Sequence, residues 1–100
     1  MNLEVGQTYS FKLNSGEELV AKLVETPGDY YVISNPVSIG PNPKGGLGLV
    51  PSMFTVSQDA DVRLNINSIS IVAETDENVK MKYIEATTGL TVPDKKVILG

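Results

Sequence analysis

The sequence predicts a mainly β fold, a strongly bent antiparallel sheet or partly open barrel of five short strands, followed by one helix. Apolar residues recur at every second position in several stretches, which is the period of strands that bury one face. Turn sequences rich in glycine, proline and asparagine separate these stretches. We expect one domain over residues 1–100, with the barrel at about 8–74, the helix at about 76–88 and a C-terminal tail at 90–100.

The first two strands form a predicted hairpin. Residues 8–14 alternate between apolar and polar, Asn14-Ser15-Gly16 has the composition of a tight turn, and residues 17–25 continue as a second strand. The odd positions of this second strand are apolar, but Val20 and Val24 on the even positions are apolar as well. We therefore expect the second face of this strand to be partly covered.

The third strand is predicted at residues 29–39, after a Pro27-Gly28 turn. Asn35-Pro36 interrupts it, and because proline cannot donate a ladder hydrogen bond, we expect a bend or an exposed edge there. The next nine residues, 40–48, include four glycines and two prolines, a composition that predicts a mobile loop. Extended apolar character resumes at 49–56, broken at Pro51.

The fourth and fifth strands are predicted from a change of parity. Apolar residues occupy even positions at 62–66 and odd positions at 69–73, so one straight, half-buried strand cannot hold both sets. A tight turn or bulge at Asn67-Ser68 must therefore separate strand four, which ends near Ile66, from strand five at residues 69–74.

One helix is predicted after the last strand. Residues 75–78 supply a capping side chain and acidic charge at its start, and Gly89 marks its expected end. A stripe at helical spacing is expected to dock on the barrel, and it consists of Val79, Tyr83 and Ala86. In the tail, residues 97–99 are apolar and could add a strand to an exposed sheet edge.

The composition excludes several kinds of site. The chain has no cysteine and no histidine, so it lacks the usual ligands of transition metals and the usual group for proton transfer near neutral pH. We expect no cofactor, no metal and no enzymatic activity. The net charge of −4, with eight scattered basic residues, argues against binding to duplex DNA. No signal-peptide pattern and no membrane-length apolar run are present, so we expect a cytoplasmic protein without membrane contact.

Two parts of the chain resemble the Sm and Sm-like protein family. Residues 13–23 (LNSGEELVAKL) are similar to the first Sm motif, and residues 29–33 (DYYVI) resemble the Asp-x-aromatic segment of the bacterial Sm-like RNA chaperone. Asn35-Pro36 resembles the Asn-Pro that follows this strand in many Sm-like sequences. Residues 64–69 fall where the second Sm motif turns between strands four and five. The likeness covers residues 8–39 well and 62–74 more weakly.

The resemblance implies an SH3-type barrel that assembles into a homo-oligomeric ring of about five to seven subunits, with strand four of one subunit pairing with strand five of the next. The two unpaired edges of an open barrel favour the same assembly on physical grounds. Three features depart from the family: the helix comes last, the connection between strands three and four is long, and Asn65-Ile66 replaces the RNA-holding Arg-Gly. These features look most like the divergent Sm-like proteins of large tailed phages of marine cyanobacteria, which would place the protein in a host cytoplasm.

Tyr30 and Tyr31 are the first candidates for RNA binding. In the family, the aromatic residue after the aspartate lines the pore and stacks on a base, which corresponds to Tyr31. The insertion at Pro27-Gly28 leaves Tyr30 as an alternative. A third possibility is that one tyrosine belongs to the core and the other covers a subunit contact.

Three polar residues complete the candidate set. Asn65 stands where the family has arginine and could read a base edge, or satisfy the backbone of the turn that follows. Asp29 could contact RNA or form an Asx-type turn. Lys44 could reach a phosphate or remain solvated.

The sequence therefore predicts a ring-forming Sm-like protein that binds single-stranded RNA. The alternative is a ring-forming scaffold or assembly module that has lost RNA binding. The acidity of the chain and the missing Arg-Gly favour that alternative.

Overall fold

A computed structural model of the protein describes residues 2–88, so the predicted tail and the predicted helix end at Gly89 lie outside the described residues. The described chain forms one open antiparallel sheet and a helix at its C-terminal side. The elements are β1 (Thr8–Leu13), β2 (Glu18–Glu25), β3 (Tyr30–Pro41), β4 (Leu47–Pro51), β5 (Asp61–Asn65), β6 (Ile69–Glu74) and α1 (Glu77–Thr88). The prediction of a mainly β fold with a following helix is confirmed, but residues 2–88 contain six strands and not five.

The additional strand, β4, begins inside the predicted loop and continues through Leu49 and Val50, which were expected to be extended. Gly40 pairs with Gly48 and Pro41 with Leu47, so the prediction was wrong at both ends of residues 40–48. The turn between them is closed by the Asn42 N–H, which donates to the Gly46 carbonyl at 2.9 Å. Glycine and proline are tolerated here because β4 is an edge strand and Pro41 ends β3. Residues 53–56, which were expected to be extended, do not form a strand.

The strands are arranged in the order β4-β3-β2-β1-β6, and β5 pairs with the first half of β3. Strand β3 therefore has two partners along one edge: residues 30–34 pair with β5 and residues 37–41 pair with β4. Within residues 2–88, β5 and β6 each pair on one side only, so the sheet does not close.

The inner core lies on one face of the sheet, called here the inner face. Its members come from the alternating positions that the sequence predicted, namely Tyr9, Phe11, Leu19, Ala21, Leu23, Ile33 and Leu64. Burying such alternating apolar side chains is the main stabilising contribution to a sheet of this size, at about 25 cal/mol per Å². The predicted pattern of the first three strands is therefore confirmed.

A bulge in β3 bends the sheet at the predicted place. Val20 pairs with Val37 and Lys22 with Ser34, so Asn35-Pro36 together oppose one residue of β2. Asn35 has a φ of 51°, a left-handed conformation that asparagine tolerates better than most residues. One extra residue reverses the side-chain alternation, so Val37 faces outward although it has the same parity as the inward-facing Ile33.

Helix α1 covers the outer face of the sheet beyond this bulge. Asp76 caps the helix, because its carboxylate accepts the N–H of Asn78 at 3.0 Å. The second core lies beneath, and it consists of Val20, Val37 and Tyr83, with Ile39, Leu49 and Val79 packed against it. Docking through Val79 and Tyr83 is confirmed, as is the expected cover over Val20, but Ala86 is exposed.

Tyr83 anchors the helix to the bulge. Its hydroxyl donates to the carbonyl oxygen of Asn35 at 2.9 Å and to that of Ser34 at 3.2 Å. The side chain is 3% exposed. Burial raises the pKa of Tyr83 from 10.0 to about 12. The predicted docking stripe therefore contains the residue that holds the bent backbone of β3.

A short 3₁₀ turn, Ile66–Ser68, joins β5 to β6 and produces the predicted change of parity. It is tied to the end of β1 by Asn14, whose Nδ2 donates to the Asn67 carbonyl at 2.8 Å. The hydroxyl of Ser70 in turn donates to the Asn14 Oδ1 at 2.5 Å. These bonds fix where β5 ends and β6 begins.

Candidate nucleic-acid interface

Most residues predicted to bind RNA meet on the outer face of the sheet, where β3 begins and β5 ends. The register sets Tyr30 opposite Asn65 and Val32 opposite Arg63. Because side chains alternate along a strand, these residues share one face, and their sequence neighbours face the inner core. A shallow, open depression of about 300 Å³ lies here, and we call its lining the β3–β5 site: Asp29, Tyr30, Arg63 and Asn65.

The centre of the β3–β5 site is a contact between Tyr30 and Arg63. The guanidinium carbon lies 4.6 Å from the centroid of the tyrosine ring, which is cation–π geometry. Tyr30 is half-buried and Arg63 is exposed. Because the ring holds the guanidinium group through its π-face, the N–H donors of the arginine are not consumed by this contact.

Asn65 closes β5 and caps the turn that follows. Its Oδ1 accepts the N–H of Asn67 at 3.0 Å. The side chain therefore satisfies the backbone of the turn, which is one of the two roles predicted for it. The amide Nδ2 makes no hydrogen bond within residues 2–88. Asn65 therefore lines the depression with its Nδ2 donor unused and with one bond already accepted by its Oδ1.

Asp29 lies at the start of β3 and is exposed. The sequence allowed an Asx-type turn here, but within residues 2–88 the carboxylate accepts no backbone hydrogen bond. It also forms no ion pair with Arg63 in that range, although both residues line the same depression. The structure thus places the carboxylate at the site without a local partner.

Tyr31 is directed away from this site. Its ring packs against Phe11, with centroids 6.1 Å apart and planes inclined by 44°, and it contacts the inner core. Of the two tyrosines, Tyr30 therefore lies in the β3–β5 site and Tyr31 belongs to the packing on the inner face.

Lys44 lies at the opposite end of β3, in the turn of the β3–β4 hairpin. Its backbone N–H donates to the Asn42 Oδ1 at 3.0 Å, which stabilises the turn. The side chain is exposed and is not part of the lining of the β3–β5 site. The structure does not bring Lys44 together with the other candidates.

Arg63 is the site residue that the sequence analysis missed. It is the single arginine of the chain, and it stands between the inward-facing Val62 and Leu64. The signal was present, because a polar residue two positions before Asn65 in a strand must share the face of Asn65. Only the pairing of β5 with β3 brings it to Tyr30.

Other kinds of site receive no support from the described part of the chain. Across residues 2–88, no group of three or more acidic, histidine or cysteine side chains is arranged to hold a metal ion. In the same range, no helix has both the length and the apolar character needed to cross a bilayer. No protein-family model matches the chain, and no curated protein matches it either.

Proposed function

We propose that the chain is an Sm-like protein that assembles edge to edge into a homo-oligomeric ring and binds single-stranded RNA through the β3–β5 site. The observation that carries the proposal is that Arg63 and Asn65 of β5, a strand with an unpaired edge, share one depression with Tyr30 of β3. In this proposal the protein acts as a binding protein and not as an enzyme, and the cytoplasm of a host cell is its expected location.

The ring is supported by the two unpaired edges of the sheet. Strands β5 and β6 have five and six residues and are joined by a short turn, so each can pair with the other strand of a neighbouring copy. Such a contact is heterologous, because different strands meet, and repeated heterologous contacts generate a ring when the rotation closes. Backbone groups at both edges would then be paired without any change inside the subunit.

The composition of β6 supports the same assembly. Natural proteins protect free edges with lysine, proline or bulges. The pairing of β6 with β1 shifts register at Ser70, but β6 contains neither lysine nor proline and exposes Ile71 at 61%. An exposed, apolar edge strand favours pairing with another strand. Residue Ile71 is therefore the most informative position for testing the ring.

RNA binding is supported by the chemistry of the β3–β5 site. Single-stranded RNA is recognised by stacking of bases on aromatic rings or guanidinium planes, and by hydrogen bonds to base edges. Tyr30 and Arg63 offer the stacking surface, and Asn65 offers an amide donor beside it. The site is local, which is compatible with a net charge of −4 for the whole chain.

A ring-forming scaffold without RNA is the second candidate. It is favoured by the acidic net charge and by the presence of one arginine in the whole chain. The scaffold and the RNA-binding ring share the edge contact and differ only at the β3–β5 site, so separate measurements distinguish them.

The ring is tested by measuring the mass of the purified full chain by sedimentation and native mass spectrometry. We expect about five to seven subunits for the wild type and dissociation for Ile71→Lys, because a charge at the edge opposes pairing. Met81→Lys is the matched control, since Met81 is 58% exposed on α1 and its substitution leaves the edge intact. A wild-type monomer at micromolar concentration would refute the ring.

RNA binding is tested by titrating fluorescent oligo-U and oligo-A at two salt concentrations. We expect saturable, salt-sensitive binding that weakens about tenfold in Tyr30→Ala, since stacking contributes about 1–3 kcal/mol per base. Arg63→Gln should weaken it as well. Lys12→Gln is the matched control, because it removes the same charge from an exposed position on β1.

The outcome separates the two candidates. Binding that resists Tyr30→Ala and Arg63→Gln would locate the RNA elsewhere on the chain. A ring that binds neither oligonucleotide at tens of micromolar would leave the scaffold as the function.

A further inference from the structure

The β3–β5 site presents an unusual set of hydrogen-bonding groups. Arg63 supplies only donors, and Asn65 also presents a donor because its Oδ1 is bound to the Asn67 N–H at 3.0 Å. Asp29 supplies only acceptors. A carboxylate and a guanidinium group thus line one depression without forming an ion pair within residues 2–88.

Asp29 is the last residue of the turn before β3, and its carboxylate differs from the short polar side chains that begin turns elsewhere in the described chain. Five of these accept the backbone N–H two positions further along the chain, at 3.0 to 3.4 Å: Ser15, Asn42, Ser57, Asn65 and Asp76. Asp29 makes no such bond to Tyr31 within residues 2–88. The Asp29 carboxylate therefore lines the depression without a hydrogen-bond donor from residues 2–88.

A carboxylate also has no use as a phosphate contact, because like charges repel each other. If RNA occupies the β3–β5 site, the donors that Asp29 can bind are ribose 2′-hydroxyls and base N–H groups. A 2′-hydroxyl satisfies one acceptor, whereas a base with two adjacent N–H groups satisfies both carboxylate oxygens. Both oxygens of a carboxylate can accept at once when two donors lie side by side.

We propose that the β3–β5 site binds a guanine base, with the Asp29 carboxylate accepting from its N1–H and N2–H groups. This inference rests on the proposed RNA binding and specifies the base. Guanine is the one standard RNA base with two adjacent donors on its pairing edge. Uracil places a single N–H between two carbonyl oxygens, which a carboxylate repels, and adenine and cytosine place one amino group beside a ring acceptor.

The donors of the site match the other edge of the same base. Guanine carries acceptors at O6 and N7, and arginine is the side chain that most often binds them. Arg63 is held against Tyr30 with its N–H groups available, and Asn65, whose Nδ2 makes no hydrogen bond within residues 2–88, lines the same depression. The site therefore offers acceptors for the N1–H and N2–H groups of guanine and donors for its O6 and N7 atoms.

The proposal is tested with four heptanucleotides that have U at six positions and G, A, C or U at the centre. We expect the full-length protein to bind the G-centred oligonucleotide about tenfold more tightly than the other three. Asp29→Asn should abolish this preference, because an amide offers one acceptor and one donor. Asp59→Asn is the matched control, since Asp59 is exposed and lies outside the site.

Free guanosine monophosphate is the second probe, because the same base could come from a nucleotide instead of RNA. Competition by this nucleotide, and not by adenosine monophosphate, would support the guanine site. Equal binding of all four oligonucleotides would overturn the guanine assignment and leave the proposed RNA binding intact. If guanosine monophosphate binds, its binding is lost in Asp29→Asn and no oligonucleotide binds, the proposed RNA binding fails and the guanine site stands. If neither the nucleotide nor any oligonucleotide binds, both proposals fail.

Discussion

The two halves of β3 differ in what covers their outer face. Beyond the bulge, helix α1 buries Val37 under Tyr83. Before the bulge, the same face carries Tyr30 and Arg63 and remains open. One strand thus contributes to a closed core at one end and to an exposed site at the other, and Asn35-Pro36 marks the boundary.

The two tyrosines on this outer face show what the difference means. Tyr83 is buried and its hydroxyl is bound to two backbone carbonyls, so it contributes to stability. Tyr30 is half-buried and contacts an exposed cation, so its removal leaves little cavity. We infer that the covered half determines the free energy of unfolding, and that the open half is available for a ligand.

The largest expected effect is the loss of the Tyr83 ring. Tyr83→Ala should lower the free energy of unfolding by about 3 kcal/mol, because it leaves a cavity between α1 and the sheet. Urea denaturation measures this. Met81→Ala on the exposed side of α1 should change it by less than about 0.5 kcal/mol. Similar values for the two variants would mean that the helix contributes little to the fold.

The bulge between the two halves should be sensitive to backbone conformation. Asn35 has a φ of 51°, so Asn35→Val should cost about 1–2 kcal/mol, because a β-branched residue is strained in the left-handed region. Asn35→Gly should be close to neutral, since glycine adopts this conformation readily. Thermal unfolding of both variants measures the difference, and equal melting temperatures would argue against the bulge.

The hydroxyl of Tyr83 should contribute about 1 kcal/mol at neutral pH, which Tyr83→Phe removes. The pKa of Tyr83 is about 12 in the folded protein and 10.0 ordinarily, so between these values the unfolded chain binds fewer protons. The free energy of unfolding of the wild type should therefore fall as the pH rises from 10 to 12. Tyr83→Phe should lack this contribution to the pH dependence of the free energy of unfolding. If the curves of unfolding free energy against pH are parallel for the two proteins, the raised pKa of Tyr83 is contradicted.

The smallest effect is expected in the open half. A double-mutant cycle with Tyr30→Leu and Arg63→Met should give a coupling of about 0.5–1 kcal/mol, as for an exposed cation–π pair. Urea denaturation of the four proteins measures it. Zero coupling would show that the pair does not persist in solution.

The local elements could be predicted because their signals are local. The alternation in the first three strands, the bend at Asn35-Pro36 and the turn near Asn67 depend on side-chain periodicity and on backbone restrictions within a few residues. Extended character was predicted at Leu49-Val50, but the start of β4 and its hairpin with β3 were missed, because glycine and proline indicate loops and only the pairing makes residues 47–51 a strand. The candidate site was found in part, since Asp29, Tyr30 and Asn65 came together but Arg63 was overlooked.

The sequence by itself determined the class of fold, the order of most elements and the inner core of the sheet, because each follows from hydrophobic period and turn chemistry along the chain. The tertiary structure decided which face each half of β3 presents. The bulge reverses the alternation after Ile33, so Val37 lies under the helix, and the pairing with β5 places Arg63 over Tyr30. Asn35-Pro36 indicates locally that β3 bends, but the register with β2 and β5, which joins residues distant in the chain, decides which side chains face the helix and which face Arg63.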